Sequence, residues 1–145
     1  MTYFPLQSVL GYKKSLEDQA QLSLAKARQE YQSISDQRQA EKQRLLHMRK
    51  EFEQHQSQGM DGMSLVLYQQ CLDSMSHGLR RMDVELARAE QKVLEKKQDL
   101  HQACTDKKKL EKLKERHEQR SKAESNRLET MELDDVALCG WGRSG

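Results

Sequence analysis

His101 and Cys104 are the nearest this chain comes to a metal or nucleophile pair. Three residues apart, they would share one face of a helix, but two ligands do not make a zinc site, and Cys104 reads better as a flank of an apolar seam. The 145 residues hold five histidines, scattered, and three cysteines, Cys71, Cys104 and Cys139. No two cysteines have the spacing of a metal knuckle or a redox pair, and their odd number fits free thiols in a reducing compartment. Asp134 and Asp135 could form an acid pair, yet they stand beside a glycine-rich end and read as solvated. The chain has no P-loop, no glycine-rich phosphate cradle and no His-Glu-x-x-His pattern. The expectation is a protein that is not an enzyme and uses no cofactor or metal.

The charged and apolar surfaces say more. From Lys107 to Lys122 eight basic residues stand against three acids, and from Glu124 to Asp135 five acids stand against Arg127 alone. One reading is a solvated helix laced with i to i+4 ion pairs, each worth about 0.3 kcal/mol. The other is a surface that steers a charged partner. Nucleic acid fits poorly, because the basic stretch lacks aromatic side chains for stacking and leads into no zipper. The formal net charge of +2 implies no polyanion either. A second feature is the crowd of apolar residues between Phe52 and Met75, rich in methionine. Val66, Leu67 and Cys71 fall off any helical seam there. They either offer a docking surface or close a small cluster on themselves.

Helices must position these groups. With 33% charged residues, 5% aromatics, one proline and a mean hydropathy of −1.00, the chain has enough apolar residues for a seam but too few for a multilayer core. Alternate steps of three and four from Leu65 to Leu110 meet fourteen residues, twelve of them apolar or aromatic, with charged and amide residues mostly between. That is the coiled-coil period, sustained for about six heptads. A matching seam runs through Leu6, Leu10, Leu16, Ala20, Leu24, Ala27, Tyr31, Ile34, Arg38, Glu41, Leu45, Met48 and Phe52, with a polar middle that helps fix register. Between the seams, Gly59 and Gly62 mark a turn, with Ser64 as candidate N-cap of the second helix.

Folded antiparallel about that turn, Phe52 meets Tyr68, Met48 meets Leu72, Leu45 meets Met75, Ile34 meets Leu86 and Leu10 meets Leu110. In every pair the residue numbers add to about 120, one register throughout. The expected fold class is all-α, two long helices in an antiparallel coiled-coil hairpin. Helix 1 is expected at about 6–56 and the turn at about 57–64. Helix 2 would follow at about 65–130, and residues 131–145, with Trp141, would be a disordered tail. Arms of about 50 residues would each reach about 75 Å. The opening residues lack the features of a secretion signal, and no apolar run approaches the roughly 20 residues of a spanning helix. A soluble, cytoplasmic protein without membrane insertion is expected.

Three stretches together resemble the flagellar export protein family FliJ. They are Phe4-Pro5-Leu6-Gln7-Ser8-Val9-Leu10 with Tyr12-Lys13-Lys14, the run Lys108–Arg116, and the closing Glu132-Leu133-Asp134-Asp135-Val136-Ala137. The resemblance spans nearly the whole chain. It implies a non-enzymatic stalk of the type III export apparatus, acting in flagellum biogenesis and so in motility and chemotaxis. Its implied partners are the hexameric export ATPase, the cytoplasmic domain of the FlhA-like export gate protein, and export chaperones. It would be cytoplasmic and peripherally associated with the inner-membrane apparatus. By the stalk analogy, the end bearing Leu6, Leu10, Leu110, Leu113, Lys114 and Arg116 would enter the ATPase ring. Tyr68-Gln69-Gln70 resembles a Tyr-Gln-Gln of some members, which places a gate-facing surface at Glu41, Leu45, Met48, Phe52, Cys71 and Met75. The same resemblance reaches the related YscO-like stalks of virulence injectisomes. A generic coiled-coil scaffold or homodimer remains the reading from another class.

Overall fold

The computed structural model describes residues 3–144, with side chains through residue 140. Two helices account for most of them, α1 at Gln7–Gln58 and α2 at Gly62–Ser144. They pack antiparallel, with no strand among the described residues, so the fold is all-α. Pro5 and Leu6 make a turn before α1, and the Gln7 N–H donates to the Phe4 carbonyl at 3.1 Å. A proline lacks the donor a helix interior needs, which is why regular helix starts only after it.

The connection at the other end of α1 is shorter than the sequence suggested. Gly59 adopts φ +93°, the left-handed conformation that ends a helix and that side chains resist. The N-cap of α2 is Asp61 and not Ser64. Asp61 Oδ1 accepts from the Ser64 N–H at 2.9 Å, and its carbonyl accepts from the Leu65 N–H at 3.1 Å. Bonds from the Ser64 side chain and backbone hold the Asp61 carboxyl below its ordinary range. A carboxylate suits the positive end of a helix better than a hydroxyl does, so α2 begins at Gly62 instead of about residue 65. At its far end α2 continues to Ser144, past the point near residue 130 where the sequence reading ended it and placed a disordered tail. Leu128 to Leu138 holds good helix formers and neither glycine nor proline. Every residue from Lys122 to Gly140 is exposed, so the stretch rests on its own backbone hydrogen bonds. The Trp141 side chain lies outside the described residues.

Packing separates two units, one formed by Met1–Gln19 with His101–Gly145 and the other by Ala20–Leu100. In the hairpin unit, Ala20–Leu100, the core is Leu24, Ala27, Leu45 and Ala89. The other positions of its two predicted seams are half-buried. Phe52 and Tyr68 stack with ring centroids 5.6 Å apart, Arg38 pairs with Asp83, and Lys92 reaches Glu30 at 3.2 Å. These contacts follow the register read from the sequence, and Asp83 answers the polar residue in mid-seam. In the terminal unit Leu10 and Phe4 are the buried side chains among the described residues, and Lys13 pairs with Asp106 at 3.8 Å.

Candidate functional site

Residues 3–6 reach α2 as a short non-helical arm, because Pro5 keeps them out of α1. Phe4 turns inward, its ring 5.6 Å from the His117 imidazole and tilted by 50°. His117 Nε2 lies 2.8 Å from the Tyr3 carbonyl, and since a carbonyl only accepts, Nε2–H is the donor. This clamp shapes a shallow groove of about 340 Å³ lined by Phe4, Pro5, Leu6, Leu113, Arg116, His117 and Arg120. Leu6 and Leu113 keep 40% and 45% of their surface exposed, so the groove has an apolar floor open to a partner. Leu113, Arg116, His117 and Arg120 sit at i, i+3, i+4 and i+7, one face of α2. Two guanidiniums beside that floor suit a segment with an apolar anchor and a carboxylate, which arginine can grip with two parallel bonds.

Of the six terminal residues named from the sequence, Leu6, Leu113 and Arg116 meet at this groove. Leu10 is 1% exposed and supports the helix pair without offering surface, while Leu110 and Lys114 are half-buried. Sequence reasoning did not assign Phe4, Pro5, His117 or Arg120 to the site. The spacing from Leu113 to Arg120 was the available signal.

A charged pair lies within the helix contact of the same unit. Lys107 Nζ stands 2.5 Å from Glu17 Oε2, with side chains only 22% and 12% exposed. The enclosed Glu17 Oε2 has no partner besides that ammonium. The bond from Lys107 holds the Glu17 carboxyl below its ordinary pKa of 4.5, and the same bond holds Lys107 above 10.5. A depressed carboxyl contributes stability that is full above the unfolded value and lost as pH falls through the folded one. A raised lysine contributes stability that is full below its unfolded value and lost as pH rises through the folded one. Melting followed by circular dichroism is therefore expected to show a Glu17→Gln variant below wild type at neutral pH. The two midpoints should converge as pH drops below 4.5, because wild type loses there what the variant already lacks. A constant gap down to acid pH would remove the pair from the account.

The hairpin unit holds the second set of named residues. Leu45 is buried, Met48, Phe52 and Met75 are half-buried, and Glu41 is half-buried and pairs with Arg44 at 2.9 Å. Cys71 alone of the six is exposed. The open apolar surface lies beside it, at Met63, Val66 and Leu67, which are 75%, 50% and 61% exposed on the first turns of α2. The seam residues back this patch and are committed to one another.

Among the described residues no three His, Cys, Asp or Glu side chains gather as metal ligands, and no helix is long and apolar enough to cross a membrane. Among solved structures, the chain is similar to CT670 from Chlamydia trachomatis, described as a YscO homolog. The identity is 15%, the TM-score is 0.59, and the match covers 95% of this chain and 94% of that chain. At such identity the likeness is one of fold. Curated proteins give no significant match. The family model described as "Flagellar FliJ protein" matches residues 2–145, and the chain thus belongs to the flagellar FliJ protein family.

Proposed function

We propose that this chain is a non-enzymatic stalk of flagellar type III export, whose terminal unit docks on the hexameric export ATPase through the groove of Leu6, Leu113 and Arg116. The observation that carries this reading is the groove itself, an apolar floor flanked by Arg116 and Arg120 in a chain of the FliJ family. A ring of subunits can present acidic and apolar side chains to such a surface, and charge would steer the approach. On the same reading the open patch of Met63, Val66, Leu67 and Cys71 faces the FlhA-like export gate. Its adaptable apolar side chains suit the gate protein or an export chaperone. The protein then acts in the cytoplasm, at the periphery of the membrane-bound apparatus.

ATP hydrolysis by the same organism's export ATPase, titrated with this chain, tests the proposal. Wild type is expected to raise the rate and promote ring assembly. A Leu113→Glu, Arg116→Glu variant, changed only at exposed positions, should need at least about ten-fold more protein for the same effect. Equal stimulation by a correctly helical variant would move the ATPase contact elsewhere, and no stimulation by wild type would end the stalk reading.

A further inference from the structure

The α2 side of the groove is one end of a longer stripe. Leu113, Arg116 and Arg120 are exposed, and further steps of three and four along α2 meet Glu124, Arg127, Met131, Asp134 and Leu138, all exposed as well. At about 100° per residue these positions stay within about 45° of one line along the helix, so one neighbouring helix can touch them all. Read backwards, the stripe is nearly its own complement. Leucine stands at both ends, arginine answers aspartate, and glutamate answers arginine at the middle. Leu138 and Asp134, one turn apart, are the apolar anchor and the carboxylate that the groove suits. They cannot reach it within their own chain, because about 27 Å of unbroken helix separates Asp134 from Arg116.

We propose that this stripe pairs with the same stripe of a second copy of the chain. The two α2 helices lie antiparallel, about a two-fold axis between Ser125 and Asn126. Leu138 of one copy then seats on Leu113 and Leu6 of the other, and Asp134 reaches Arg116. The methylenes of Arg120 lie along Met131, and Glu124 meets Arg127. The symmetry repeats each contact, as an isologous interface requires. Glu129, Glu132 and Val136 stand on the other side of the helix and take no part. A parallel arrangement would set Arg116, Arg120 and Asp134 each against its own kind, at a cost in repulsion. The stripe holds few apolar side chains, so the pairing is weak and depends on its charges. It covers Leu113 and Arg116, which makes it exclusive with the ATPase contact. It needs no other component, however, and stands whether or not that contact is right.

Sedimentation equilibrium of the purified chain tests it. At about 0.05 M salt the average mass should climb with concentration from 17.0 kDa toward twice that value, and at about 1 M salt it should return to the monomer. Glu124→Arg with Asp134→Arg should weaken association at least about ten-fold at unchanged helicity. Adding Arg116→Asp and Arg127→Glu to the same chain should restore it, because each ion pair is then rebuilt with its charges exchanged. A monomer under every condition overturns the proposal. So does an association that ignores the first pair of changes, or one that the exchange fails to restore. The Glu124→Arg, Asp134→Arg chain keeps every groove residue, so its ATPase stimulation reports on that contact separately.

Discussion

Replacing Leu10 by alanine is expected to cost the terminal unit about 2 to 5 kcal/mol, the range for deleting a buried leucine side chain. Leu10 is 1% exposed, and Phe4 is the other buried hydrophobic side chain among the described residues of that unit. Two helices have no third layer to collapse into the space left behind, so the cavity term stays large. Leu6, one turn earlier and 40% exposed, is the matched control, and Leu6→Ala should change stability by less than about 1 kcal/mol. Urea denaturation gives the size of both effects, and amide exchange gives their place. Loss of protection should centre on residues 7–19 and 103–117 for Leu10→Ala, and within the hairpin unit for Leu45→Ala. A Leu10→Ala cost no larger than that of Leu6→Ala would mean that the arm and the groove are not seated as described. If the cost is large, the groove's dependence on Leu10 also explains why a terminal residue with no surface could still weaken partner binding.

The period of the two apolar seams made the fold legible, since burial in a helix pair is decided by which residues recur every three or four positions. Phe52 against Tyr68 and Arg38 beside Asp83 follow from that period and the one register it allows. The features that escaped it are those that periodicity does not encode. Phe4 lies outside both helices, and its contact with His117 depends on the path Pro5 imposes on the arm. The seam read in the sequence failed at Lys114 and His117 because its missing partner is that arm and not a longer α1. Ser64 and Asp61 both suit an N-cap by type, and only the length of the turn chooses between them. The turn-side residues were named along the seam, where Leu45, Met48, Phe52 and Met75 are already satisfied. The surface left for a partner is the adjacent face, Met63, Val66 and Leu67.

In dilute protein at high salt, amides of residues 124–138 should exchange on the order of a thousand-fold faster than those of the hairpin unit's part of α2, although one helix contains both. The difference follows from what must break. Opening α2 between Leu72 and Leu100 strips side chains such as Ala89, 7% exposed, from their packing against α1. Opening it between Lys122 and Gly140 breaks mainly backbone hydrogen bonds, because no side chain described there is even half-buried. A helix without tertiary contacts is marginal in water and frays from its free end, so protection there should be about ten-fold or less. Uniform protection along α2 in the monomer would point to contacts on the overhang that the burial pattern lacks. The low stability also makes this stretch the sensitive reporter of binding. Residues that gain little from their own chain gain the most protection when an opposite charge pattern covers them. Protection that appears between residues 124 and 138 only when a binding partner is added would place that partner's contact on this stretch of α2.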